Sequence, residues 1–144
     1  MCRRWRYVVF ASPQCLDLRI VCTEKTPVGE LLDVWPYLPI VIKYWLYSTP
    51  TSNFPISIPN VMTALEHYGR VYQIQLSHLS QSLLDILSTA MQGPYPSLAT
   101  LELSSEDEIA PVLPDTFACG FAPCLQRVWL EGIIFPALPE LVHC

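Results

Sequence analysis

Cys119, Cys124, His143 and Cys144 supply the ligand types of a structural zinc site. The Cys-x4-Cys interval is tolerable, but an adjacent His and Cys at the end of the chain make a poor clamp for tetrahedral geometry, so no metal centre is expected. The histidines are His67, His78 and His143, and none stands in a recognisable nucleophile motif with a serine or cysteine. Glu106-Asp107-Glu108 lacks the alternating ligands of a calcium loop and reads as a solvated acidic turn. The five glycines read as turns and helix stops rather than as a phosphate loop. These residues predict no catalytic group, no metal and no cofactor, and the chain is not read as an enzyme.

Recognition chemistry is better represented. Three segments, Val71-Tyr72-Gln73-Ile74-Gln75-Leu76, Leu98-Ala99-Thr100-Leu101-Glu102-Leu103 and Leu125-Gln126-Arg127-Val128-Trp129-Leu130, repeat an apolar-x-x-apolar-x-apolar pattern, each starting 27 residues after the last. A strict period in this range with this pattern is the signature of a leucine-rich repeat array. Side chains alternate along a strand. If Ile74 and Leu76 point inward, Gln73, Gln75 and Ser77 point outward. The same parity exposes Thr100, Glu102 and Ser104, then Arg127, Trp129 and Glu131. Strands about 4.8 Å apart would merge these into one panel. Gln73, Gln75, Thr100, Glu102, Arg127 and Trp129 are the candidate partner-binding residues, since Trp and Arg are enriched at binding hot spots.

The elements that must position this panel can be placed from turn and cap signals. Gly69, Gly93-Pro94-Tyr95-Pro96 and Ala122-Pro123 precede the three strands. Between the first two, residues 80–91 carry Leu83, Leu84, Leu87, Ala90 and Met91 on one helical face, with Ser80 as N-cap and Gly93 as stop. Asn60 is expected to cap a second helix over Val61 to Tyr68, ended by Gly69. Thr26, with Pro27 at the first position, is expected to cap a third that Pro36 stops. Pro111 and Pro114 forbid a long helix before the last strand, leaving a short turn near Asp115 to Ala118. Two irregular strands are expected earlier. Cys15 to Val21 alternates, with a repeat start at Pro13. Tyr37 to Lys43 is aligned with Ile40 and Ile42 in the second and third apolar positions. The predicted fold is α/β: a leucine-rich-repeat-like solenoid of about five parallel strands with short helices or turns on the convex side.

Bulk properties agree with one folded unit of 144 residues, 51% apolar and 15% charged. The net charge of −5 argues against nucleic acid as a partner. It is unevenly spread. Residues 1–43 hold six of the eight bases and four of the thirteen acids, whereas residues 44–144 carry a net −7. The longest apolar stretch, Pro36 to Tyr47, is broken by Pro39 and Lys43 and is too short to span a bilayer. Met1 is followed by Cys2-Arg3-Arg4-Trp5 with no apolar leader, so the six cysteines are read as free, mostly buried thiols in the cytoplasm or nucleus.

Cys2-Arg3-Arg4-Trp5-Arg6-Tyr7-Val8-Val9-Phe10 resembles the end of an F-box, whose last helix commonly runs V-C-x-x-W-R into apolar residues. With W-R-x-V-V-F-A-S-P, C-T-x-K-T-P-V, W-P-x-L-P-I, A-P-V-L-P-D and F-P-A-L-P, nearly the whole chain resembles the F-box and leucine-rich-repeat-like proteins of mushroom-forming fungi. That resemblance implies an adaptor of a cullin-type ubiquitin ligase, in which the F-box docks on a Skp-type adaptor and the repeats hold a protein substrate. It divides the chain into residues 1–10, the tail of an incomplete F-box helix containing Arg3, Arg4 and Trp5, and residues 11–144, the repeat array, incomplete at its C-terminal end. Docking on a Skp-type adaptor is expected only where the missing F-box is present. The alternative reading is a gene fragment without adaptor activity.

Overall fold

A computed structural model describes residues 18–23, 26–34, 37–45, 58–113 and 121–135, with the side chain of Trp45 excepted. Their elements run β1 (Ile20–Cys22), α1 (Val28–Val34), β2 (Ile40–Trp45), α2 (Ile58–Glu66), β3 (Val71–Ser77), α3 (Gln81–Ala90), β4 (Thr100–Ser104) and β5 (Arg127–Glu131). The strands form one sheet in chain order, every neighbouring pair parallel. The chain is therefore α/β, with a five-stranded parallel sheet and, among the described residues, three helices.

The 27-residue spacing survives as register. Gln73 pairs with Thr100 and Thr100 with Arg127; Ile74, Leu101 and Val128 align behind them. The connecting turns repeat too. The Leu98 amide donates to the Tyr95 carbonyl, and the Leu125 amide to that of Ala122. Inward residues Ile40, Ile42, Tyr44, Val71, Ile74, Leu76, Leu101 and Leu103 form one buried layer. Val28 and Leu32 of α1, Val61, Ala64 and Leu65 of α2, and Leu84 and Leu87 of α3 complete it. All three helices thus lie over the same face of the sheet, and the other face carries the polar parity.

α3 follows its sequence signals. The Ser80 hydroxyl accepts from the Leu83 amide at 3.4 Å, and Met91 closes the C-terminal end with its amide on the Leu87 carbonyl. The other two helices begin differently from expectation. α2 starts at Ile58, so Asn60 lies inside its first turn and does not cap it; Pro59, with no amide hydrogen to lose, occupies that turn. At α1 the Pro27 carbonyl takes the first helical amide, from Leu31. The Thr26 hydroxyl instead accepts from the Thr23 amide at 2.9 Å, tying down the turn before the helix.

The first two strands slip along the predicted repeat. Ile42 and Tyr44, not Ile40 and Ile42, stand beside Ile74 and Leu76. β1 spans Ile20–Cys22 and pairs with residues 20 positions on, Ile20 with Ile40. Both slips are even in number, so the inward and outward parities are those predicted. Between β2 and β3 the ladder contains a bulge: Ile40 pairs with Val71 but Val41 with Gln73, leaving Tyr72 as the extra residue. The Arg19 guanidinium lies 4.2 Å from the centre of the Tyr72 ring.

An isolated parallel bridge joins Val112, after β4, to Ile134, after β5, and the Gln81 side chain accepts from the Val112 amide at 3.0 Å. The predicted turn at 115–118, the residues 1–10 assigned to the F-box tail, and the repeat start at Pro13 lie outside the described residues.

One buried hydroxyl ties a repeat to its neighbour. The Tyr95 hydroxyl donates to the Leu65 carbonyl at 3.2 Å, across from the next repeat to the C-terminal turn of α2, and its ring meets the Tyr68 edge-on. Replacing Tyr95 by phenylalanine removes the only atom in that bond that can donate. We expect a loss of about 1–2 kcal/mol, read as a lower urea midpoint at unchanged slope.

Cys22 is 1% exposed, and burial pushes its thiol up to about 11, partly offset by the Arg70 guanidinium. Burial also raises the Tyr95 phenol. In the unfolded chain the Cys22 thiol ionises near its ordinary 9.0, so between pH 9 and about 11 unfolding releases a proton that the folded chain keeps. Stability is therefore expected to fall as pH rises through that window, and a Cys22→Ala variant to fall less steeply over the same pH series.

Candidate functional site

The outward face of the sheet is assembled by β3, β4 and β5. Their common register makes two adjacent rows: Gln73, Thr100 and Arg127 in one, Gln75, Glu102 and Trp129 in the next. A third row follows with Ser104 beside Glu131. The six residues expected to bind a partner are thus brought together on one surface. The rows run on into the earlier strands, with Val41 beside Gln73 and Lys43 beside Gln75. Lys43 joins the panel half-buried, whereas Val41, although of the outward parity, is 3% exposed and closes the row rather than extending the surface. Lys43 was legible as an outward residue by parity, but its neighbour was not.

The surface is not flat. Gln75, Ser77, Glu102, Ser104, Arg127, Trp129 and Glu131, with Leu76 and Leu103, line a groove of about 460 Å³. Trp129 is 61% exposed on its wall. Gln73, Gln75, Thr100 and Glu102 are half-buried, held by their neighbours in the row, and Arg127 is exposed. The groove wall offers amide, hydroxyl, carboxylate, guanidinium and indole groups. It can form hydrogen bonds, ion pairs and stacking contacts with a surface laid across the strands.

The residues considered for other chemistry are separated. His78 follows β3 with φ 61° and its Nδ1 lies 2.9 Å from a Glu106 carboxylate oxygen, a contact between two turns at the end of the sheet. His67 sits in the turn after α2. Cys124 is an exposed thiol before β5, and Cys119, His143 and Cys144 lie outside the described residues, as do Arg3, Arg4 and Trp5. Iodoacetamide should alkylate Cys124 in the folded chain within minutes and Cys22 only after denaturation, as read by peptide mass mapping.

The fold and this surface define a class, an α/β chain with a five-stranded parallel sheet whose outward residues on β5 are exposed. No protein-family model, curated protein or solved structure matches it. Among the described residues no helix is long and apolar enough to cross a membrane.

Proposed function

We propose that the chain is a non-enzymatic protein-interaction module, a short leucine-rich-repeat-like solenoid whose open strand face holds a segment of another protein. In that role it would correspond to the substrate-binding repeats of an F-box adaptor of a cullin-type ubiquitin ligase, acting in the cytoplasm or nucleus. One observation carries the reading: a 27-residue step in sequence equals one strand step in space, so that the residue types best suited to recognition share adjacent rows. The exposed Arg127, Trp129 and Glu131 on β5 and the groove beside Trp129 support it. Docking on a Skp-type adaptor would depend on an F-box, of which residues 1–10 resemble the tail. The proposal for the panel does not require it.

A quantitative pull-down of interacting proteins on the immobilised chain tests the reading. Trp129→Ala and Arg127→Ala should each weaken capture at least about tenfold, as truncation of a central aromatic or arginine anchor does. Ile86→Ala, on the exposed side of α3, should leave it unchanged. Capture that ignores both panel substitutions would remove the basis for the proposal.

A further inference from the structure

Trp129 is flanked by carboxylates on two sides. Glu102 is its paired neighbour on β4, about 4.8 Å away across the ladder. Glu131 follows two residues along β5 on the same face, about 6.6 Å further on. All three line the same groove. Among the described residues, neither carboxylate is held in an ion pair or hydrogen bond. Two described bases are placed elsewhere in the rows: Arg127 on the opposite side of Trp129 from Glu131, and Lys43 beyond Gln75.

An exposed indole attracts a cation to its face through the ring quadrupole, and tryptophan does so best of the aromatic residues. Carboxylates at the rim of that face add charge-assisted hydrogen bonds, and a guanidinium can take two of them in parallel. The net −7 of residues 44–144 draws positive charge toward this part of the molecule. Arg127 repels a cation from the other end of the indole, so the site has a direction.

On this basis, and resting on the interaction reading above, we propose that the partner lays an extended segment across the strands with an arginine or lysine over Trp129, its charge between Glu102 and Glu131. A neutral or acidic residue of the segment falls toward Arg127.

Selection of a random displayed peptide library on the whole chain tests this, followed by affinities for synthetic copies of the enriched peptides. The expected result is an arginine or lysine at one fixed position in the enriched set. Binding should drop at least about tenfold in Trp129→Ala and by a similar factor in the double variant Glu102→Gln/Glu131→Gln, which alters two surface carboxylates without changing their shape. It should also weaken as salt is raised. The double variant Glu102→Lys/Glu131→Lys should enrich acidic peptides instead. Enriched peptides without a basic position that still lose affinity in Trp129→Ala would overturn the basic-partner inference and leave the interaction surface standing. Peptides indifferent to Trp129→Ala, or no enrichment, would overturn both.

Discussion

Replacing Leu101 by alanine is expected to cost about 3 kcal/mol, while the equivalent change at Val128 costs less than about 1 kcal/mol. The two residues occupy the same row, 27 positions apart, and both belong to the inward parity. Leu101 is 1% exposed, with strands on either side and within the buried apolar layer, so truncation leaves a cavity that these neighbours cannot close. Val128 is 45% exposed, on the edge strand of the sheet among the described residues, and water reaches it in the folded chain already. Against a typical stability of about 5–15 kcal/mol, the first change removes a large fraction and the second almost none. Urea titrations of both variants followed by far-UV circular dichroism check this. Equal losses at the two positions would mean that the inward face of β5 is as well covered as that of β4.

The second large effect is expected at Gly132. This residue follows β5 with φ 65°, and a Cβ built on it would lie 2.4 Å from the Ser105 carbonyl oxygen. That oxygen belongs to backbone, so it cannot turn aside as a side chain would. Gly132→Ala combines the left-handed penalty of about 1–2 kcal/mol with displacement of the strand beside it. A total near 3 kcal/mol is expected, with loss of the Ser105 amide bond to the Glu131 carbonyl. Gly29→Ala is the control: it sits in α1 with nothing within 4 Å of its Cβ position, and should stabilise by a few tenths to about 1 kcal/mol. Thermal melts of the two alanine variants moving in opposite directions would bear out the geometry. A neutral Gly132→Ala would show that the turn after β5 relaxes freely.

Gly132 also shows what the sequence could and could not convey. It lies 27 residues after Ser105 and 54 after His78, at one position of the repeat. His78 adopts the left-handed conformation there without a glycine, so residue type alone did not mark the turn. The later strands were legible because V-x-x-I-x-L, L-x-x-L-x-L and L-x-x-V-x-L share one period, and period specifies register as well as parity. The first two strands offered only parity. In Ile40-Val41-Ile42-Lys43-Tyr44, either Ile40 and Ile42 or Ile42 and Tyr44 satisfies the alternation, and a buried tyrosine does not announce itself as the third apolar position. The bulge at Tyr72 was equally silent, since an aromatic residue suits a paired or an extra strand position. Helix starts depended on choosing between neighbouring signals, Asn60 or Pro59 and Thr26 or Pro27. In both cases the proline lay nearer the true boundary, because its fixed φ and missing amide suit only the first turn. The six panel residues were legible because each follows from the same parity and period.

Since one strand step and 27 residues are the same displacement, excising residues 98–124 would set the Val71 hexad directly against that of Leu125. Gln75 would then adjoin Trp129, with the apolar columns behind them still in line. Such a sheet can be lengthened or shortened by whole modules without rewriting any of its columns, whereas deleting a single residue inside a strand would turn the rest of that strand's side chains to the opposite face.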